Sequence, residues 1–148
     1  MSLDGKRGWR FENRRARGYR PVMADLWVRE SSSKGRGVFA ARLFNEGETI
    51  EICPVIPLSA EDAGKLDDTH LYNYYFGWGP DNRGAAIALG YGSLYNHSYT
   101  PNAVYRKLYA DGAIHFVALR PIVPGEEIFV SYNFPNAGDG GSLWFEVR

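Results

Sequence analysis

Apolar positions along this chain fall into short runs broken by glycine, proline and small polar residues. That rhythm predicts a mostly β protein of short strands and turns, with minor helix. Leu26 to Glu30 reads as the first strand and Ser31 to Gly37 as a loop rich in Ser and Gly. Val38 to Ala41 and Glu48 to Ile52 read as a strand pair separated by a turn at Gly47, and Pro54 and Pro57 interrupt the chain beyond that pair. Ser59 caps a short helix, with Asp62 three residues on. Residues 71–78 concentrate Tyr72, Tyr74, Tyr75, Phe76 and Trp78, and Ala85 to Leu89 is short and apolar. Val104 to Tyr109 and Ala113 to Leu119 flank Asp111-Gly112, a hairpin signal. Pro121 to Gly125 turns again, and Ile128 to Tyr132 is the last strand.

The pattern also echoes itself. Ala40-x-Arg42…Gly47-Glu48-x-Ile50 recurs as Ala118-x-Arg120…Gly125-Glu126-x-Ile128, an offset of 78 positions. Two copies do not make a solenoid; they predict two similar β corners in one sheet assembly.

Composition narrows the class. A chain of 148 residues builds one domain with one core. With 45% hydrophobic and 23% charged residues it reads as an ordinary soluble globular protein. No apolar run approaches the roughly 20 residues of a membrane helix, and no apolar stretch follows the basic N-terminus as a secretory signal would require. Cys53 is the only cysteine, and His70, His97 and His115 are scattered, so no metal site is expected.

Charge is balanced overall but uneven. Residues 1–20 carry seven Lys/Arg against two Asp/Glu, and the remainder carries ten against fifteen. The basic arm reads either as a solvated, flexible segment or as a contact to nucleic acid or an acidic surface. The acidic body would attract a lysine-rich partner.

Five short motifs carry the candidate chemistry: Lys34-Gly35-Arg36-Gly37-Val38-Phe39, Asn96-His97-Ser98, Pro101-Asn102, Gly125-Glu126-Glu127-Ile128 and Ser131-Tyr132-Asn133. In this order, over roughly residues 26–145, the chain resembles a SET domain, the fold of most protein lysine methyltransferases. The resemblance implies a β-clip-like fold of several small twisted sheets with a threaded C-terminal segment. It divides the chain into a basic arm (1–22), the SET domain (23–135) and a flanking segment (136–148) that closes the site. It implies S-adenosylmethionine as cofactor, a lysine-containing protein as substrate, and a cytoplasmic setting, or a nuclear one in a eukaryote. Apart from the basic arm, nothing beside the domain would recruit a substrate, so recognition is expected from a groove on the domain itself or from a homodimer.

Methyl transfer to lysine needs no protein nucleophile and no metal. The protein must align the reactants, release the amine's proton and exclude water. Holding a lysine of pKa about 10.4 neutral near pH 7.4 costs roughly 4 kcal/mol, which burial in an aromatic channel reduces.

The resemblance assigns roles to these residues. Lys34, Gly35, Arg36 and Gly37 hold the methionine end of the cofactor mainly through backbone groups, the glycines permitting close approach. Asn96 and His97 contact its amino group and adenine, although Asn96-His97-Ser98 also reads as a glycosylation acceptor and His97 as a core histidine. Tyr132 is the catalytic residue, its hydroxyl beside the transferring methyl, with Ser131 where many relatives carry Asp or Asn. Tyr105 and Val130 line the substrate channel and favour mono- or dimethylation. Residues 49–53 read Thr-Ile-Glu-Ile-Cys and lack a tyrosine that many relatives carry there, so Tyr75 and Tyr91 are among those that replace that wall. Trp144 and Phe145 stack on adenine and cover the channel, or else anchor the tail. Two other readings stay open: a catalytically silent SET-like binding module and a small β-rich nucleic-acid binder.

Overall fold

The computed structural model describes residues 25–32 and 34–132, which form nine strands and one α-helix joined by turns. In chain order the strands are β1 (Leu26–Glu30), β2 (Arg36–Ala40), β3 (Thr49–Leu58), β4 (Tyr75–Trp78), β5 (Gly84–Ala88), β6 (Asn96–His97), β7 (Ala103–Leu108), β8 (Ala113–Ala118) and β9 (Phe129–Val130). They build three small sheets: the β1-β2 hairpin, a five-stranded sheet in the order β4-β5-β3-β8-β7, and the pair β6-β9. The β6-β9 pair is parallel, Asn96 opposite Phe129 and His97 opposite Val130, so the chain's last described strand is laid beside a segment more than thirty residues earlier. Phe44, Ile114, Phe116, Ile122, Ile128 and Val130 are fully buried and form the core that joins the sheets.

Most of the expected strands form, with four corrections. The strands either side of Gly47 are not a pair: β2 pairs with β1, and β3 with β8 and β5. The prolines do not interrupt β3, which runs ten residues through Pro54 and Pro57. Residues up to Pro54 pair with β8, and from Val55 the strand pairs with β5 instead. Pro54 therefore falls where the strand changes partners, and Pro57 where it has one ladder neighbour, both places where a missing N–H is tolerated. The β7-β8 hairpin forms, but its loop is the four residues Tyr109–Gly112, closed by Gly112 at φ 57°. That left-handed conformation suits glycine, which explains the Asp-Gly signal without a two-residue turn. The last strand is short, and Tyr132 lies in the turn beyond it. The helix α1 (Ala60–Leu66) starts as expected, the Ser59 hydroxyl accepting from Asp62 N–H at 3.1 Å.

The internal echo is a structural duplication. Phe44 N–H donates to Ile122 C=O at 3.0 Å and Ile122 N–H returns to Phe44 C=O at 2.9 Å. Gly47 N–H reaches Ala118 C=O, and Gly125 N–H reaches Ala40 C=O, each at 2.8 Å. Arg42 pairs with Glu48 at 2.7 Å and Arg120 with Glu126 at 2.5 Å. The two corners thus clasp each other through the same bonds run in both directions, and this fixes where β2 and the 126–130 segment meet.

Candidate active site

Four separate stretches converge beside that clasp. Asn96 on β6 donates through Nδ2 to Arg36 C=O at 3.1 Å and to Glu127 Oε1 at 2.7 Å. Ser31 holds the other oxygen of Glu127 at 2.8 Å. Gly37 is buried under this contact: a Cβ there would collide with Glu127 Oε1 and Asn96 Nδ2. The Lys34 ammonium donates to His97 C=O and lies 5.1 Å from the centre of the Phe129 ring. Lys34, Arg36, Gly37, Asn96 and His97 are thus brought together, while Gly35, at φ 70°, turns the loop with open space around it.

Asn102 locks the crossing. It is 2% exposed, accepts from Phe129 N–H at 2.8 Å, and donates to Glu127 C=O at 2.8 Å and Glu126 Oε1 at 3.1 Å. Burial raises the Glu126 carboxyl, but its bonds to Arg120, Asn102 and Val123 N–H outweigh that and hold it below the ordinary carboxylate value.

Tyr132 is held at both ends by the residues flanking Asn96. Its N–H donates to His97 Nδ1 at 3.0 Å and its hydroxyl to Tyr95 C=O at 2.7 Å. Since Nδ1 accepts, the ring proton of neutral His97 sits on Nε2, a buried atom without a hydrogen-bond partner among the described residues. Burial, and then the nearby Lys34, lower the His97 pKa.

A cavity of about 210 Å³ opens at the Tyr132 side chain. Tyr72, Tyr74, Tyr75 and Phe76 line it together with Tyr95, Tyr105 and Tyr132. Tyr72, Tyr74, Tyr75 and Phe76 of the aromatic block are therefore half-buried cavity wall, the Phe76 ring edge-on to Tyr105 at 5.1 Å, whereas Trp78 packs against the core. Val130 lies outside the lining, fully buried in the core, and so does Tyr91, which packs against the core. Trp144 and Phe145 lie outside the described residues.

Among the described residues, no charged side chain lines the cavity. Burial and the adjacent Tyr105 and Tyr74 push the Tyr132 phenol up to about 12. Burial does the same to Tyr105, also to about 12, and with the Asp67 hydrogen bond it raises Tyr75 to about 12. These phenols stay protonated at neutral pH. An amine entering such a cavity loses water, which favours its neutral form.

Two contributors escape a reading of the sequence. Tyr95 is 2% exposed and stacks on Phe116 at 4.3 Å, yet its carbonyl orients Tyr132. Glu51, buried on β3, accepts from the Tyr95 hydroxyl at 2.8 Å and from Tyr91 N–H at 2.9 Å. The available signal was a lone carboxylate between Ile50 and Ile52. Cys53 beside it is buried with its thiol pushed up, first by burial and then by Glu51, which makes it inert.

The family model of the SET domain matches residues 35–133, which hold every element of this site except Ser31 and Lys34. The chain belongs to the SET-domain family. A fission yeast (Schizosaccharomyces pombe) relative, a histone-lysine N-methyltransferase specific for histone H3 lysine 37, is 35% identical over 126 residues, covering 84% of this chain and 80% of its own. The crystal structure of a candidate histone methyltransferase of Plasmodium falciparum superposes with a TM-score of 0.61 at 31% identity, covering 74% of this chain and 94% of that one. The SET8 protein of Cryptosporidium shares the fold, with a TM-score of 0.60 at 22% identity over 73% of this chain and 57% of its own. This SET domain is a protein-lysine N-methyltransferase, of a family that uses S-adenosylmethionine. No helix among the described residues is long and apolar enough to cross a membrane.

Proposed function

We propose that the chain methylates a lysine of a histone tail, with Tyr132 as its catalytic residue and the tyrosine-lined cavity as the lysine channel. The observation that carries this reading is the Tyr132 hydroxyl, fixed on Tyr95 C=O at the wall of a cavity that, among the described residues, is lined mainly by tyrosines. The relative that methylates histone H3 supports a histone as substrate. Work on chromatin calls for a nuclear setting rather than a cytoplasmic one.

The residues beside the channel fit S-adenosylmethionine. The Lys34 ammonium at His97 C=O and the Asn96 carboxamide on the Glu127 carboxylate offer groups of both charges, a set that complements a ligand carrying both an amino and a carboxylate group. Lys34 to Gly37, Asn96 and His97 would hold it, and the flanking residues 136–148 would close the site of a domain spanning 23–135. When bound, S-adenosylmethionine supplies an electrophilic sulfonium methyl group. The chain's own part is to desolvate the lysine amine and to aim it, with Tyr132 accepting a hydrogen bond from the amine while donating to Tyr95 C=O. Tyr105 limits the room at the channel end, which favours one or two methyl groups over three.

Calorimetric titration with S-adenosylmethionine tests the cofactor reading. One-site saturable binding, weakened by Asn96→Leu, is expected. Absence of binding with a histone H3 peptide present would overturn it.

A further inference from the structure

We infer that Glu51 is a positioning residue for methyl transfer, acting through Tyr95 on the hydroxyl of Tyr132. The inference rests on Tyr132 as the group that meets the substrate amine. Glu51 is 7% exposed and lies outside the cavity lining, so it touches no reactant. A buried carboxylate is costly unless its oxygens are occupied. Oε1 accepts from Tyr91 N–H at 2.9 Å and Oε2 from the Tyr95 hydroxyl at 2.8 Å.

Those two donors bracket the tight turn Gly92–Leu94. One side chain therefore fastens both ends of the segment 91–95, of which Gly92, Ser93 and Tyr95 face the cavity. Tyr95 is further fixed by stacking on Phe116, with ring centres 4.3 Å apart. With its ring and the start of its turn both anchored, its carbonyl has one direction, and that carbonyl receives the Tyr132 hydroxyl at 2.7 Å. In-line transfer tolerates little error in the direction of the attacking amine. Glu51 thus sets the angle of a hydroxyl that it never contacts.

A clamp and a mere packing role give different kinetics. The test measures kcat and KM with a histone H3 tail peptide and S-adenosylmethionine, for Tyr95→Phe, Glu51→Leu and Glu51→Gln, and for Tyr132→Phe alone and combined with Tyr95→Phe. Tyr95→Phe keeps the stacked ring and removes one bond. It should lower kcat on the order of tenfold with peptide KM within about twofold. In the Tyr132→Phe background it should cost nothing further, because the hydroxyl it positions is gone. Glu51→Gln can still accept from Tyr91 N–H and donate to the Tyr95 oxygen, so it should retain more kcat than Glu51→Leu. If Glu51→Leu does not fold, the Tyr95→Phe pair carries the test alone. Wild-type kcat in Tyr95→Phe, or the same fold loss in both backgrounds, would overturn the clamp. So would a loss in Glu51→Gln equal to that in Glu51→Leu, which would assign the effect to charge. If Tyr132→Phe itself keeps wild-type kcat, the catalytic role of Tyr132 fails, and the clamp with it.

Discussion

The Tyr132 hydroxyl donates to the Tyr95 carbonyl at 2.7 Å across 37 positions of sequence. The bond joins the last described turn to the residue before Asn96, so the Tyr132 hydroxyl is aimed by a backbone carbonyl rather than by a mobile side chain. Tyr132→Phe keeps the ring and its packing but loses the aimed oxygen. A fall in kcat on the order of 10²-fold is expected, with peptide KM little changed, in steady-state kinetics. Equal losses in binding and turnover would show that the hydroxyl holds substrate rather than aligning it.

Acid should weaken the fold through His97. Burial, and then Lys34, hold its imidazole below the ordinary value of 6.5. The folded chain therefore keeps the ring neutral where the unfolded chain takes up a proton. Stability from this group is complete above the unfolded value and is lost progressively as pH falls from there towards the lowered folded value. Tm should drop as pH falls below the ordinary histidine value of about 6.5, and His97→Gln should flatten that slope. Protonating Nδ1 would also cost the Tyr132 N–H its acceptor. Tyr132, raised to about 12, should add no alkaline limb to the kcat profile below about pH 11.

Gly37→Ala should damage both stability and cofactor affinity. The new methyl collides with the Glu127 carboxylate and with Asn96 Nδ2, the contact that ties loop 34–37 to β6. Overpacking of this kind costs about 1–3 kcal/mol. Chemical denaturation should read that loss, and calorimetry should show weakened S-adenosylmethionine binding.

Asn102→Ala should destabilise without entering the site. It leaves Phe129 N–H and Glu127 C=O without their buried partner, at about 1–3 kcal/mol. That is a Tm drop of roughly 4 to 8 °C per kcal/mol for a small domain, readable by calorimetric scanning.

Tyr105→Ala should change the product. Tyr105 is 5% exposed and its ring meets Phe76 edge-on at the cavity wall, so removing it enlarges the cavity. Mass spectrometry of the methylated peptide should show a larger trimethyl share than the wild type gives.

The short strands were legible because their limits are local: glycine and Asp-Gly turns, a Ser cap, and apolar runs between them. The repeated Arg…Gly-Glu corner was legible too, and it marks the clasp that holds the site. The run of β3 through Pro54 was not, because it depends on a change of ladder partner from β8 to β5 that no neighbouring residue signals. The site motifs at Gly37, Asn96 and Tyr132 could be read as a set, since their order carries the family likeness. Tyr95 and Glu51 could not, since one works through its carbonyl and the other through a buried bond 44 positions away. Val130 illustrates the reverse: the family likeness points it to the channel, whereas on β9, paired with β6, it is fully buried in the core.

The most direct measurement is mass spectrometry of histone H3 tail peptides incubated with the purified chain and S-adenosylmethionine, run beside Tyr132→Phe. Methyl groups on a lysine side chain, no more than two of them, and their near-complete loss in Tyr132→Phe are the expected result. Methylation undiminished in Tyr132→Phe, or none on any histone lysine while the cofactor binds, would contradict a Tyr132-directed histone lysine methyltransferase.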